Sequence, residues 1–322
     1  MAKRDIQQEQ TEMLATMLES VDPNNFILPW HECVNQGNPT NALTKRQYTN
    51  GNAMMLWVYQ MLAGYETNQW ATYKQWFELG GGKTEGKGKN KKIIQPSKYN
   101  VRAGEKGSFI SVPIPCAFDQ EMDNVKTGET ETVHISFTRF KASSVFNASQ
   151  IDGYEIERPE RPNLVDSIEK AEQFFSNLGI EKREAPGRAF YQPTGDFYSL
   201  PPMSDFIDTP TSTATECYYS TEAHETGHAT GHVSRLDRYS SRDFTNKKER
   251  AFEELIAECT ACFVCAHLGI STSPREDHAQ YLAGWLRLLK SDKTAFQRAA
   301  SKAGDALNWM IEQQPKSLSK AA

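Results

Sequence analysis

The stretch STEAHETGHATGHVSRLDR, residues 220–238, places three histidines four residues apart, at His224, His228 and His232. On an α-helix, residues i and i+4 lie on one face, so His224 and His228 can direct two imidazole nitrogens to a single ion. Glu225 lies beside that face, where a carboxylate can take a proton from water acidified by a metal. The pattern therefore predicts a helix that carries a divalent-metal site, with Glu225 as its general base.

A catalytic zinc site needs a third protein ligand, and the next predicted helix supplies two candidates. In ERAFEELIAECTACF, Glu254 and Glu258 lie one turn apart. We assign Glu254 as the ligand, because the small residue Ala257 three positions on lets two helices approach closely. Glu258 would then support a ligand histidine. The reverse assignment stays open, since Glu258 is followed by Ala261 at the same spacing. Zinc is the expected metal, and Mn²⁺ or Co²⁺ is also compatible with this donor set.

The third histidine, His232, has two open interpretations. Metzincins hold a third ligand histidine where this chain has Ser234, so that pattern fails although Gly231 is in place. His232 either lines a cleft or is a polar residue at the helix end. The residues Arg235, Asp237 and Arg238 that follow form a surface ion-pair cluster or clamp the helix end. A donor to polarise a substrate carbonyl is also needed, and the candidates are Tyr191, Tyr219, His232 and Tyr281.

The cysteines do not predict a metal cluster. Cys259, Cys262 and Cys265 recur every third position, so they fan around a helix axis and cannot converge on one ion. We interpret them as small apolar residues at a helix interface. Six cysteines without dispersed, even spacing are typical of a reducing compartment, and we expect a cytoplasmic protein.

Length and composition favour two domains in a globular protein. The chain has 322 residues, 38% of them hydrophobic and 24% charged, and a single domain usually holds about 100–200 residues. No apolar run approaches the ~20 residues that cross a membrane, so we expect no membrane partner. The net charge of −5 is unevenly spread, because residues 83–106 alone carry eight basic and two acidic residues.

The order of elements predicts an α+β fold. Helical periodicity covers 6–21, 50–63 and 69–79, and two short alternating runs, 107–118 and 131–146, indicate a small antiparallel sheet. We therefore predict a first domain at 1–146 and a polar linker at 147–163. A mainly helical second domain would follow at 164–322. Within it we expect a helix at 163–179, β runs at 187–193 and 196–201, and helices at 217–232, 246–268 and 276–312, the last broken near Ser291.

The first domain combines aromatic and basic residues, a pairing that binds single-stranded nucleic acid through stacking and phosphate contacts. The plainer interpretation, equally weighted on composition, is that Trp57, Trp70 and Trp76 are helix-core residues and that the Lys-rich stretch is a solvated loop.

The segments NPTNALTKRQYTNGNAMMLW, NQWATYKQWFELGG and VRAGEKG resemble the N-terminal domain of ArdC-type antirestriction proteins, which is shared with conjugative plasmid primases. The segments HETGHATGHVSRLDR, EELIAECTACFVCAHLGI and YLAGWLRLLKSDKTAFQRAASKAGDAL resemble the zincin-like metallopeptidase domain of the same family. The match covers roughly residues 5 to 310, and one departure is an insertion of Lys- and Gly-rich residues at 81–100.

The resemblance implies single-stranded DNA binding, a metal-dependent peptidase-like site, and protection of mobile DNA from host restriction. It places the metal pair on His224 and His228, the base on Glu225 and the acidic pair on Glu254 and Glu258. The implied DNA-binding positions are Asn41, Lys45, Arg46, Tyr48, Asn52, Trp70, Thr72, Lys74, Gln75, Arg102 and Lys106, to which we add Lys91 and Lys92 of the insertion.

Two functions remain open from the sequence. In the first, the protein binds single-stranded DNA and hydrolyses a peptide bond in a host protein, such as a component of a restriction system. In the second, it is a non-catalytic DNA-binding protein or an accessory to conjugative priming, and its metal site is structural.

Overall fold

The computed structural model describes residues 5–21, 28, 31–34, 36–86, 90, 92–123, 130–156, 163–272 and 279–315. Helices and strands alternate irregularly through the N-terminal half. In chain order they are α1 (Ile6–Glu19), α2 (His31–Val34), β1 (Thr40–Asn41), α3 (Asn50–Ala63), β2 (Gln69–Ala71), α4 (Tyr73–Leu79), β3 (Lys83–Glu85), β4 (Lys92–Gln95), β5 (Asn100–Val101), β6 (Ser108–Asp123), β7 (Thr130–Asn147) and β8 (Ile151–Asp152).

The C-terminal half is mainly helical, with one small sheet. Its elements are α5 (Leu164–Ser176), β9 (Glu181–Glu184), β10 (Phe190–Gln192), β11 (Phe197–Leu200), α6 (Ala214–Ala229), α7 (Lys247–Leu268), α8 (Ala279–Ser291) and α9 (Ala295–Glu312). The described strands form a β1-β2-β7-β6 sheet, a β10-β11-β9 sheet and two pairs, β3-β4 and β5-β8. This arrangement confirms the predicted α+β class. None of the helices in the described ranges is both long enough and apolar enough to cross a membrane.

Three local predictions need correction. The runs predicted as short strands form a long hairpin, in which the 16 residues of β6 pair antiparallel with β7. The helix predicted over 69–79 is instead a short strand followed by α4, because Trp70 and Ala71 pair with Asn147 and Phe146 of β7. In the insertion, β3 and β4 pair antiparallel, so its described part is a small hairpin where a loop was expected.

One hydrophobic cluster extends across the predicted domain boundary. It contains Trp57 of α3 and Leu14 of α1 together with residues of α7 and α9. The rings of Trp57 and Phe263 lie 5.9 Å apart between centroids. Burial of large side chains like these is the main favourable contribution to folding, so helices of the N-terminal half are part of the core that supports α7.

The first half of the predicted linker packs as part of the N-terminal fold. Ala148 and Ile151 are buried in a cluster with Trp76, and β8 pairs with β5. Residues 157–162 of the predicted linker lie outside the described residues. We propose that the first domain extends to residue 156 and that the connection to the second domain follows it.

Candidate metal centre and nucleic-acid surface

Helix α6 begins with a reciprocal pair of hydrogen bonds. The Thr213 hydroxyl accepts from the backbone N–H of Glu216, and the Glu216 carboxylate accepts from the backbone N–H of Thr213, at 3.3 and 2.9 Å. Such a capping box satisfies two N–H groups that the helix leaves without a partner. The cap fixes where α6 starts, and with it the direction in which the side chains of residues 224–228 point.

Helices α6 and α7 approach closely because small residues line their contact. A Cβ added to Gly227 would lie 3.1 Å from the Thr260 Cβ and 3.4 Å from the Ala257 Cα. Only small side chains therefore separate the two helices at the level of His224 and His228. A larger residue at Gly227 would push the two helices apart and separate the groups that they carry.

Three donor groups converge between these helices. The Nε2 atoms of His224 and His228 each lie 3.5 Å from the same Oε2 atom of Glu254. Two imidazoles and one carboxylate are a donor set that suits Zn²⁺ and related divalent ions. The residues present therefore fit a divalent metal, and the structure places Glu254, rather than Glu258, opposite both histidines.

The outer nitrogens of both histidines face other carboxylates. His224 Nδ1 lies 3.7 Å from Glu258 Oε2, and His228 Nδ1 lies 3.7 Å from Glu253 Oε1. A carboxylate behind a ligand histidine orients the ring and favours the tautomer whose far nitrogen can bind metal. Glu258 thus lies behind His224, and Glu253 lies in the same relation to His228.

Glu253 is in turn held by Arg238, and the sequence analysis missed this pair. The guanidinium donates to both carboxylate oxygens of Glu253, from Nη2 at 2.7 Å and from Nε at 3.3 Å. It also donates to the Thr230 hydroxyl and to the Gly227 carbonyl, each at 2.8 Å. Of the two interpretations of the arginines after the motif, the clamp on the helix end is therefore the observed one for Arg238. The sequence contained one indication of this pair, because the acidic residue Glu253 directly precedes the predicted ligand Glu254.

The charges around the site favour a bound cation. Burial disfavours the imidazolium of His228, but the carboxylates of Glu254, Glu253 and Glu225 outweigh it and raise the His228 pKa to about 10. Burial likewise raises the pKa of Glu254, yet the two histidines reverse the effect and hold that pKa well below its ordinary value. Without a metal the site retains a proton, which a divalent ion would displace on binding.

A cleft of about 400 Å³ opens onto these donors. Glu225 lines it beside the two histidines and is itself 2% exposed. One wall includes residues of β10, which is an edge strand of the described three-stranded sheet, a position at which an extended chain can add by backbone pairing. The other lining residues are Arg188, Ala189, Phe190, Tyr191, Pro193, Tyr239, Phe244, Arg250, Glu253, Glu254 and Tyr281.

The structure separates the candidate carbonyl donors. Tyr191 and Tyr281 line the cleft, whereas Tyr219 is buried and stacks on Phe175. His232 lies beyond the end of α6, where its Nδ1 is 2.8 Å from the Ser234 hydroxyl. The helix-end interpretation of His232 therefore fits its position better than a place in the cleft.

The cysteines of α7 are fully buried, as expected for a helix interface. Cys262 also lies within reach of His31 and Glu258, and these three form a second group whose donor atoms are within 4.8 Å of one another. His31 precedes the histidine motif by more than half of the chain, and no pattern in the sequence connects it with the motif.

Several candidate DNA-binding residues hold the first domain together. The Asn41 amide donates to the Tyr48 hydroxyl at 3.0 Å and to the Gln75 side chain at 3.1 Å. Thr72 caps α4 in a reciprocal pair with Gln75. Trp70 is fully buried, so its ring faces are covered by protein.

Two further candidates also make internal contacts. The side chain of Asn52 exchanges two hydrogen bonds of 2.8 Å with the backbone of Ser111 and so anchors β6 to α3. Arg102 pairs with Glu105 at 2.8 Å. Trp57 and Trp76, like Trp70, are fully buried, so the core interpretation of the three tryptophans is the observed one.

The basic candidates face solvent. Lys45 and Arg46 lie in the turn after β1, and the Asn41–Gln75 hydrogen bond holds this turn against the first turn of α4. The exposed Tyr73 and Lys74 lie in that helical turn, 58% and 71% exposed respectively. Lys92, Arg102 and Lys106 are also exposed, whereas Lys91 lies outside the described residues. We call the group formed by Lys45, Arg46, Tyr73 and Lys74 the basic patch.

Comparison with known proteins divides the chain into two matched regions. Residues 4–146 match the family of the N-terminal domain of the anti-restriction factor ArdC. Residues 169–302 match the family of zincin-like metallopeptidases. Both matches follow the two halves that the sequence resemblance indicated.

Relatives cover most of the chain. A protein of Sinorhizobium fredii described as uncharacterized protein y4eC is 32% identical over 314 residues, which are 96% of this chain and 92% of the relative. Two proteins of Escherichia coli described as DNA primase TraC are 30% and 32% identical, over 89% and 87% of this chain. The chain spans only 19% and 24% of the length of these primases.

Two solved structures have a similar fold. They are crystal structures of the antirestriction ArdC protein from the R388 plasmid, one metal-free and one Mn(II)-bound. Their TM-scores are 0.67 and 0.68 and their identities 31% and 30%, and each alignment covers 96% of this chain and 98% of the other.

Proposed function

This chain belongs to the ArdC family of antirestriction proteins, and from that premise we propose a two-part function. The first domain binds single-stranded DNA of a mobile element that enters the cytoplasm. The second domain hydrolyses a peptide bond in a host protein at a metal centre. The two activities together would protect the incoming DNA from restriction.

One observation carries the enzymatic part, namely the convergence of His224, His228 and Glu254 at the floor of a cleft beside Glu225. The Mn(II)-bound structure of the R388 protein supports a divalent metal in a fold of this kind. We expect zinc to occupy the site, with Mn²⁺ and Co²⁺ as possible substitutes. A divalent ion there would lower the pKa of water and polarise a peptide carbonyl.

The chain's own residues would do the rest of the chemistry. The Glu225 carboxylate, held beside the histidines, accepts a proton from the attacking water and can pass it to the leaving amine. The edge of β10 aligns an extended segment of the substrate. The hydroxyl of Tyr191 or Tyr281, both in the cleft wall, donates to the carbonyl oxygen as negative charge develops there.

The metal site has a direct test. We expect wild-type protein to bind one divalent ion per chain, because the described donors form one convergent group in the cleft. The variant His224→Ala should bind the ion about 100-fold more weakly or worse, since losing a ligand costs more than the ~10–100-fold typical of losing a supporting contact. Competition against a chromophoric chelator measures both values, and unchanged affinity in the variant would reject the site.

The basic patch is the proposed centre of DNA binding. Lys45, Arg46 and Lys74 supply charge for phosphates, and the exposed ring of Tyr73 supplies a face on which a base can stack. The relation of the first domain to primases supports a nucleic acid as the partner. Lys92, Arg102 and Lys106 are further exposed cations that could extend the phosphate track.

Replacing Lys45, Arg46 and Lys74 together by Gln should weaken binding to a single-stranded oligonucleotide and flatten its salt dependence. Each lost phosphate contact should lower the slope of log K against log salt by ~0.7, so about 2 in total. The matched control is Lys302→Gln, an exposed lysine of α9 in the other domain. Fluorescence anisotropy over a salt series measures the slope. Equal slopes for the triple variant and the control would remove the basic patch from the proposal.

The alternative function is a non-catalytic one. In it, DNA binding protects the incoming strand, or assists conjugative priming, and the metal only stabilises the fold. The feature that favours the enzyme is Glu225, because a purely structural zinc site is closed by four protein ligands and needs no carboxylate in an open cleft.

A further inference from the structure

The N-terminal half contributes a residue to the surroundings of the metal centre. His31, the first residue of α2, is 1% exposed, and its Nε2 lies 2.8 Å from the Oε1 atom of Glu258 on α7. Both side chains are buried, so little water competes for this hydrogen bond. The contact joins α2, in the N-terminal half, to the helix that carries Glu254.

The orientation of the His31 ring is defined from its other side. The backbone N–H of Leu28 donates to His31 Nδ1 at 3.4 Å, so Nδ1 is an acceptor and the ring proton lies on Nε2. His31 therefore donates to Glu258. The His31 carbonyl accepts from the Thr272 hydroxyl at 3.3 Å, which also fixes the backbone that carries the ring.

Glu258 links His31 to a metal-site histidine. While Oε1 accepts from His31, the other oxygen, Oε2, lies 3.7 Å from Nδ1 of His224. A carboxylate anchored through one oxygen can present the other at a fixed place. That place is behind His224, on the side opposite the nitrogen that faces Glu254.

We propose that His31 is a positioning residue for the metal centre, which holds Glu258 so that Glu258 orients His224. The inference rests on the proposed metal site and adds to it that the metal affinity depends on the N-terminal half of the chain.

Metal affinity tests this role in the full-length protein. His31→Leu removes the donor, and we expect Zn²⁺ and Co²⁺ to bind about 10-fold more weakly, within the ~10–100-fold range for loss of a supporting contact. His31→Gln keeps an N–H donor and should recover part of the affinity. The matched control is His267→Leu, because His267 is a histidine near the end of α7 that packs on Phe174 rather than near the ligands. This control should leave the metal affinity unchanged.

The outcomes separate the possible explanations. If His31→Leu, folded by circular dichroism, binds metal like wild type, the positioning role is wrong although the metal site stands. If that variant instead loses one of two bound ions, the buried group of His31, Glu258 and Cys262 is itself a metal site, and the positioning role is again overturned. A wild-type protein that binds no divalent ion would overturn the proposed function and this inference with it. If His31→Leu does not fold, equal affinity in His31→Gln and a His31→Gln/Glu258→Gln variant would contradict the inference.

Discussion

Replacement of Glu225 by Gln is expected to abolish antirestriction in cells, to the level of an empty vector, if the second domain acts as a peptidase. The substitution keeps the size of a side chain that is 2% exposed but removes the base. Loss of a general base typically costs ~10²–10⁴ in rate. The measurement is the survival of an unmodified plasmid transferred into a restricting host that expresses wild-type or variant protein.

Two controls keep the interpretation of Glu225→Gln clear. The variant should retain the bound metal, since Glu225 is not one of the three convergent donors. It should also bind single-stranded oligonucleotides like wild type, because the basic patch lies in the other domain. A variant that still protects the plasmid fully, with metal and DNA binding intact, would leave the non-catalytic function as the better account.

Replacement of Arg238 by Met is expected to destabilise the protein by ~3–5 kcal/mol, the usual cost of removing one partner from a buried ion pair. Arg238 is 5% and Glu253 3% exposed, so the variant would remove from a buried carboxylate the cation that donates to both of its oxygens. Of the ion pairs that the structure describes for Glu253, only the longer contacts with His228 and Arg242, at 3.7 and 4.0 Å, would remain. Burial by itself raises the Glu253 pKa, and the charge of Arg238 lowers it below the ordinary value. Chemical denaturation of the metal-free protein measures the loss, with Lys290→Met as the control.

A surface control and a double variant show whether the loss of stability comes from the buried ion pair. Lys290 pairs with Glu19 on the surface, where both side chains are about half exposed, and such pairs contribute at most about 1 kcal/mol. Adding Glu253→Gln to Arg238→Met should recover part of the lost stability, since it removes the buried charge that has lost its hydrogen-bonded partner. If Arg238→Met costs no more than Lys290→Met, the clamp on α6 is not an important contribution to stability.

Part of the candidate metal site could be predicted because its spacing is local. His224 and His228 share a helix face at i and i+4, so sequence distance translates directly into geometry. Glu254 belongs to another helix and comes within reach of both histidines only because α7 packs against α6. Glu258 could be predicted as a support from the same helical spacing, but the partner of Glu258 could not. His31 and Glu258 are 227 positions apart, and only the packing of α2 against α7 brings them together.

The basic patch could not be predicted from local spacing. Aromatic residues and three basic ones lie between residues 45 and 77, but the sequence does not say which of the aromatic residues are buried. Trp70 became part of a strand because β7 supplied a pairing partner, and its ring was then covered. The length of the β6–β7 hairpin also escaped prediction, since the runs of polar residues near its tip lack the alternation that marks a half-buried strand.

That long hairpin has a consequence for behaviour in a crowded cell. Beyond the β2–β7 pairing, a ribbon of two strands presents backbone groups along both of its sides, the geometry that invites other chains to add strands and aggregate. Pro113 and Pro115 lack N–H groups and so interrupt one side. Arg139 and Lys141 place charge on the other. These residues oppose the addition of a further strand, whereas exposed apolar side chains of the ribbon, such as Phe118 and Phe140, favour contact with other chains.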